Sequence, residues 1–119
     1  MSEVLDLPAL QARLKGKKSR LVRLAGVYTQ YYPSQLQDIA SALAQGDSQA
    51  LYHSAHTLKG TLLSFEARPA SALALQLETL AKEGRLEGAA SLLEQLSAQA
   101  HLLHQHLQII LSDPQDWPQ

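Results

Sequence analysis

The sequence contains no cysteine and no long apolar run. Without cysteine the chain can form neither a disulfide framework nor a thiolate metal site, so nothing indicates secretion. No uninterrupted apolar segment reaches the roughly 18 residues of a membrane span, and the amino terminus lacks the basic and apolar regions of a signal peptide. We therefore expect a cytoplasmic protein with no membrane partner.

An excess of charge of either sign is also missing. Lysine and arginine number 10 and aspartate and glutamate 11, so the formal net charge is -1. This balance leaves no basic surface to hold a phosphate backbone, and we expect no nucleic-acid partner. The composition, 45% apolar and 18% charged, is typical of a soluble globular protein, and 119 residues suit one domain with one core.

β-Branched residues are scarce, and no stretch alternates apolar and polar residues, so a sheet has little to be built from. Apolar residues recur instead at helical spacings of three and four. Glycine- and proline-containing breaks divide the chain into five predicted helices at about 7–14, 19–43, 48–67, 69–82 and 86–110.

Short connections force long neighbouring helices to run antiparallel. The predicted fold is therefore all-α, an antiparallel up-down four-helix bundle with a short additional N-terminal helix. We expect this domain to cover residues 1–112, followed by a flexible C-terminal tail over 113–119. Pro33 lies within the apolar stripe of the second helix without disturbing its phase, which leaves a kink and a fresh helix start as open alternatives.

One histidine of the third predicted helix lies away from its apolar face. At about 100° per residue, His56 points roughly opposite the core arc, and Lys59 and Gly60 lie close to it on the outward side. That core arc consists of Leu51, Ala55, Leu58, Leu62 and Phe65. Glycine in an exposed helix interior costs about 1 kcal/mol relative to alanine, so Gly60 indicates that another molecule approaches the helix closely here.

This arrangement suits a carrier of phosphoryl groups. Neutral imidazole is a competent nucleophile near pH 7, because its ordinary pKa is about 6.5. Lys59 can offset the negative charge of a phosphoryl group on His56, and Gly60 leaves room for a partner's aspartate. Tyr52 and Leu63 supply an apolar rim for docking.

The stretch HTLKGTLLSFEA at 56–67 resembles the signature of the histidine phosphotransfer (HPt) family, His-x-Leu-Lys-Gly-Ser/Thr followed by an apolar residue and Gly-Ala. The resemblance extends from about Leu21 to the end of the fifth helix. It implies a helical bundle in which His56 is phosphorylated, Lys59 is its charge partner and Gly60 is the access residue. Glu78 matches a family position on the neighbouring helix that orients the imidazole.

Two residues depart from the family pattern. Leu63 stands where the family usually has a small residue, and Glu66 replaces the usual glycine. We expect the docking surface to favour a particular partner and the end of the third helix to differ from that of the family. The helical wheel places Glu78 at the edge of the apolar stripe of the fourth helix, where contact with the third helix and a solvated carboxylate are equal alternatives.

The resemblance implies a histidine phosphotransfer protein of a two-component phosphorelay. Such a protein exchanges phosphoryl groups with aspartate-bearing receiver domains, so the expected partners are response-regulator receivers and a hybrid sensor histidine kinase. We expect a carrier and not an enzyme, because no Gly-rich nucleotide-binding segment is present. The protein is expected to be a monomer without a cofactor or metal of its own, since the receiver supplies the divalent metal.

Three alternatives remain in view. A phosphoacceptor helix of a histidine kinase usually has an acidic residue after the histidine and proline five positions on, where this chain has Thr57 and Thr61. A binding-only adaptor would keep the fold without the chemistry. A metal site on the fifth helix or at His53 and His56 is disfavoured, because His106 points away from His101 and His104 and no carboxylate completes the set.

Overall fold

The computed structural model describes residues 4–112 and 117, and every regular element among them is a helix. The five helices are α1 (Leu7–Arg13), α2 (Lys18–Ala44), α3 (Ser48–Ser64), α4 (Arg68–Lys82) and α5 (Ala89–Ser112). α3 packs against α2 and α4, and α5 packs against the same two helices. None of the described helices has both the length and the apolar character needed to cross a membrane.

The connection between α2 and α3 fixes where the third helix begins. Gly46 has a φ of +66°, the left-handed conformation that glycine adopts without strain after a helix end. Asp47 is the N-cap of α3, and its Oδ1 accepts a hydrogen bond of 3.0 Å from the backbone N–H of Ala50. The predicted start of this helix is therefore confirmed.

The buried face of α3 is the one that its periodicity predicts. This helix buries Leu51, Ala55, Leu58 and Leu62, and Phe65 just beyond its end is also buried. Because side chains follow one another at about 100° on a helix, this phase leaves His56 facing solvent.

The second helix is continuous through Pro33, so a fresh helix start at that position is excluded. Pro33 is exposed and has no N–H to donate within the helix. In the same turn the Ser34 hydroxyl donates a 2.9 Å hydrogen bond to the carbonyl of Tyr31.

Aromatic side chains join α2, α5 and the end of α3. The rings of Tyr28 and Tyr32 stack with centroids 4.6 Å apart, and Phe65 meets Tyr28 edge-on at 5.2 Å. The buried Tyr28 hydroxyl donates a 2.7 Å hydrogen bond to the carbonyl of Ala100. Burial, and secondly the neighbouring Tyr32, raise the pKa of Tyr28 above its ordinary value.

The boundaries of two helices differ from the prediction. α3 ends at Ser64 and not near residue 67, because Glu66 adopts a left-handed φ of +56°. α5 begins at Ala89 and not near residue 86, since Gly84 and Gly88 have positive φ angles of 71° and 84° in the connection that precedes it.

The predicted flexible tail lies outside the described residues at 113–116 and 118–119. Trp117, within that tail, is only 1% exposed and belongs to the buried apolar cluster. Burying an indole removes a large apolar surface from water, and the flexibility of the tail stays a prediction.

Glu66 joins the end of α3 to the N-terminal segment. Its carbonyl accepts a 3.0 Å hydrogen bond from the N–H of Asp6. Its carboxylate lies 2.6 Å from Arg13 and 3.4 Å from Arg68. The carboxylate side chain is only 14% exposed. The hydrogen bond from Arg13, opposed by burial and aided by Arg68, holds the pKa of Glu66 below its usual range. These contacts offset the strain of a non-glycine residue in the left-handed region.

Replacing Glu66 with glutamine is expected to reduce stability by about 0.5–1 kcal/mol at pH 7, because an ion pair whose arginine is half exposed contributes little more. Folding lowers the pKa of this carboxylate, so its ionised form stabilises the fold at pH values above the unfolded pKa of about 4.3. This stabilisation is lost as the pH falls through the pKa that the carboxylate has in the folded state. Urea unfolding at pH 7 and near pH 3 should therefore show the difference between wild type and Glu66→Gln shrinking with acidity. An equal difference at both pH values would contradict this role for the ion pairs.

Candidate functional site

Glu78 reaches from α4 to α3, where it contacts two side chains. Lys59 Nζ donates a hydrogen bond of 3.2 Å to Oε2 and forms an ion pair with Oε1 at 2.8 Å. Burial of Glu78 opposes its ionisation, but the hydrogen bonds from Lys59 and His56, together with their charges, outweigh it and hold the pKa of Glu78 below its usual range. Glu78 is therefore an ionised carboxylate at neutral pH, and the alternative of a solvated side chain is excluded.

His56 contacts the same carboxylate, with 3.0 Å between its Nδ1 and Glu78 Oε1. An ionised carboxylate only accepts hydrogen bonds, so Nδ1 carries the hydrogen and donates it. Nε2 of the neutral imidazole then has a free lone pair. The side chain of His56 is 58% exposed, which leaves that nitrogen accessible to a large partner.

The residues predicted to form a docking rim differ in their environment. Leu63 is 44% exposed on the outward side of α3, as the helical phase predicts. Tyr52 is half-buried and packs against the core, and its ring lies nearly parallel to the imidazole of His56 with centroids 6.0 Å apart. Tyr52 therefore restricts the imidazole on one side in addition to contributing apolar surface.

Gly60 is exposed on α3, one turn beyond His56. A Cβ built at this position would meet no other atom within 4 Å. The packing of the free chain thus gives no reason for glycine here, and alanine would favour the helix by about 1 kcal/mol.

Sequence reasoning missed an open pocket beside the site, between the start of α3 and the end of α4. Its volume is about 370 Å³ and it is lined by Ser48, Gln49, Tyr52, His53, Ala81 and Lys82. The sequence contains one signal for it: Lys82 follows Glu78 by one helical turn, which puts both residues on the same face of α4. That Lys82 lies next to residues of α3 could be known only from the way α4 packs against α3.

Two histidines of α5, His101 and His104, contact side chains of α2. Nδ1 of His101 lies 3.3 Å from the Tyr32 hydroxyl, and Nδ1 of His104 lies 3.2 Å from the hydroxyl of Thr29. Over residues 4–112 and 117, no three side chains of histidine, cysteine, aspartate or glutamate are grouped to hold a metal ion. The hydrogen-bond contacts of His101 and His104 join α5 to α2.

Comparison with known proteins identifies the class of the chain. A family model of the Hpt domain matches residues 23–111. Because this match covers most of the sequence, the chain belongs to the Hpt domain family, and the all-α fold and histidine phosphotransfer function expected from the resemblance are confirmed.

The fold is similar to the crystal structure of histidine-containing phosphotransfer protein B (HptB) from Pseudomonas aeruginosa PAO1. The TM-score is 0.82 at 26% sequence identity, over 94% of this chain and 97% of that chain. No match was found among curated proteins. The chain is a histidine phosphotransfer protein of a phosphorelay.

Proposed function

We propose that Nε2 of His56 is the atom that carries the phosphoryl group. Its lone pair attacks the phosphorus of an aspartyl phosphate on a receiver domain. The N–P bond forms as the P–O bond to the aspartate breaks, and the aspartate leaves as a carboxylate with the bonding electrons. The observation that supports this assignment best is the 3.0 Å contact of Nδ1 with Glu78 in an otherwise exposed imidazole.

The neighbours of His56 take separate roles in this proposal. Glu78 fixes the tautomer by accepting from Nδ1, and Lys59 supplies positive charge next to the phosphoryl group. Gly60 leaves the space through which the receiver's aspartate and its divalent metal approach. Tyr52 and Leu63 belong to the surface that the receiver covers.

The expected partners are response-regulator receiver domains and a hybrid sensor histidine kinase, with transfer in either direction. The name of HptB, a histidine-containing phosphotransfer protein, supports this assignment. We propose a monomeric, cytoplasmic carrier that holds no cofactor of its own and turns over no substrate. The contacts of α3 and α5 with both α2 and α4 support the up-down arrangement of the four long helices, with α1 as the additional one.

A binding-only adaptor is the alternative function. It would need the fold and the surface but would not need an imidazole with one nitrogen held by a carboxylate and the other exposed. The His56–Glu78 contact therefore favours transfer over binding alone.

The direct test is to mix the full chain with purified receiver domains that carry labelled aspartyl phosphate. The proposal predicts label on the chain that is labile in acid and stable in alkali, as a phosphoramidate is. Binding to phosphorylated receivers without any transfer of label would instead support the adaptor.

Leu63→Ala is expected to weaken receiver binding by about tenfold, because burying a leucine in an interface contributes about 1–3 kcal/mol. Its effect on bundle stability should be small, since Leu63 is 44% exposed and does not belong to the buried core. Leu63→Asp should weaken binding further. Calorimetric titration with a receiver, together with thermal unfolding of each variant, measures both quantities.

A matched control is Leu102→Ala, which shortens an exposed leucine on α5. We expect it to leave receiver binding unchanged. If Leu63→Ala lowered the melting temperature sharply while binding stayed normal, Leu63 would be a core residue and not a docking residue.

A further inference from the structure

We propose that the end of the bundle where α1 meets α2 binds the surface of a membrane that contains anionic phospholipid. Five cationic side chains form this surface, here called the basic end: Lys15, Lys17, Lys18, Arg20 and Arg23. All of them are exposed except Lys18, which is half-buried. The expectation of no membrane partner rested on the absence of a membrane span, which binding to a membrane surface does not require.

The formal net charge of -1 conceals an uneven distribution of charge along the chain. Six of the ten lysine and arginine residues lie within 13–23, and no aspartate or glutamate occurs within 7–37. Acidic residues are concentrated instead toward the opposite end of the bundle, at Asp47, Glu83, Glu87 and Glu94. The chain therefore has a basic surface that its overall balance of charge did not predict, and an anionic partner can bind there.

The nearest carboxylates are bound to arginines outside the basic end. Glu66 lies 2.6 Å from Arg13 and 3.4 Å from Arg68, and Asp6 lies 3.6 Å from Arg68. α5 packs antiparallel to α2 and has no acidic residue over 95–112. Within the described part of the chain, none of the five cations of the basic end forms an ion pair.

The charges at the start of α2 are unfavourable for the free helix. Lys17 is the N-cap and makes no side-chain capping hydrogen bond, and the first turn contains no acidic residue. Lysine and arginine at a helix N-terminus face the positive end of the helix dipole, which disfavours them. An anionic surface would offset this interaction and the mutual repulsion of the cations.

The cations are spread around the start of α2 and do not converge on one point. At about 100° per residue, Arg20 points about 160° away from Lys18, and Arg23 about 60° away from Arg20. A small anion could contact one or two of them, whereas a flat charged surface that meets α2 end-on is within reach of all these long side chains. Val22, one turn after Lys18, is 52% exposed and adds apolar surface for contact with lipid.

The basic end lies too far from His56 to be covered by a receiver bound there. α2 has 27 residues and is about 40 Å long at 1.5 Å per residue. His56 lies about 13 Å along α3 from Asp47, which is next to the other end of α2. About 25 Å therefore separates His56 from the start of α2, whereas an interface of about 800 Å² per partner reaches about 16 Å from its centre. A chain held at the basic end leaves His56 free.

Co-sedimentation of the full chain with phospholipid vesicles tests this inference, and the full chain includes the charges of the residues outside 4–112 and 117. At low ionic strength we expect binding to vesicles of phosphatidylcholine mixed with phosphatidylglycerol, and none to vesicles of phosphatidylcholine alone. Salt at about 1 M should release the chain, because the Debye length then falls to about 3 Å. Failure to bind the anionic vesicles, or equal binding to both kinds, would overturn the inference.

Lys17→Gln/Lys18→Gln should lower the partition coefficient by about 25-fold, because each lysine near an anionic surface contributes about fivefold. The matched control is Lys82→Gln/Arg85→Gln, which makes the same change in net charge toward the opposite end of the bundle and should bind as wild type does. Thermal unfolding should show that removing two cations from the start of α2 does not destabilise the bundle. An equal loss of binding in both variants would show that net charge governs binding and would overturn the inference.

Two soluble polyanions distinguish lipid from other anionic partners. Poly-glutamate represents an acidic protein, and duplex DNA represents a nucleic acid. At the same concentration of charge, the chain should bind each of them more weakly than it binds the anionic vesicles. Tighter binding to either polymer would overturn the choice of a membrane surface.

Phosphotransfer measured on the same samples separates this inference from the proposed function. Lys17→Gln/Lys18→Gln should accept label from a receiver at the wild-type rate when no vesicles are present. If wild type binds anionic vesicles but accepts no label from any receiver, the assignment of His56 fails and the basic end stands. If vesicle-bound wild type stopped accepting label, the two surfaces would not be separate and the end-on placement would be overturned.

Discussion

His56→Gln is expected to abolish phosphoryl acceptance and leave the bundle folded. The side chain is 58% exposed, so its loss should change the free energy of unfolding by no more than about 0.5 kcal/mol. A glutamine amide can still donate to Glu78, but it has no nitrogen lone pair able to attack phosphorus. Label transferred from a phosphorylated receiver, measured beside a thermal unfolding curve, gives both results in one preparation.

His53→Gln is the matched control, because His53 is also exposed on α3 and lies one turn before His56. It should accept label at close to the wild-type rate. Label that persisted on His56→Gln and vanished on His53→Gln would move the phosphorylation site to His53.

Gly60→Gln is expected to slow phosphotransfer by about 100-fold, since a side chain at this point would hold the two reacting groups apart by an ångström or more. Gly60→Ala should separate stability from function. It should stabilise the fold by up to about 1 kcal/mol, because a Cβ there meets nothing within 4 Å, and yet it should slow transfer measurably. Single-turnover transfer rates and urea unfolding measure the two effects.

Gly26→Ala provides the comparison for this experiment. Gly26 is an exposed glycine within α2, and a Cβ there also meets nothing within 4 Å. This variant should gain a similar stability and keep the wild-type transfer rate. Equal transfer rates in Gly60→Ala, Gly60→Gln and wild type would show that no partner approaches α3 at that position.

The helices and the outward position of His56 could be predicted from the sequence because both depend on local signals. Asp47 and Gly46 mark the start of α3, and the apolar period within the helix fixes its phase. The end of α3 could not be predicted in the same way. Glu66 adopts a conformation that favours glycine, and its compensating contacts come from Arg13, which is distant in sequence.

The contacts within the site depend on how α4 lies against α3. Periodicity placed Glu78 at the margin of an apolar stripe, a position that fits both a solvated carboxylate and one bound to His56. The structure shows the contact with His56. Lys59 was expected on the outward surface next to His56, but its ammonium is bound by Glu78. Only the packing of the two helices reveals this contact.

The most direct test of the central claim is to locate the phosphoryl group on the chain itself. Phosphorus-31 and nitrogen-15 NMR of the full protein, phosphorylated by a receiver and kept at alkaline pH, identifies the bonded nitrogen. The account predicts one phosphoramidate, on Nε2 of His56. Phosphorus on Nδ1 of His56, on another histidine or in a serine or threonine ester would contradict it.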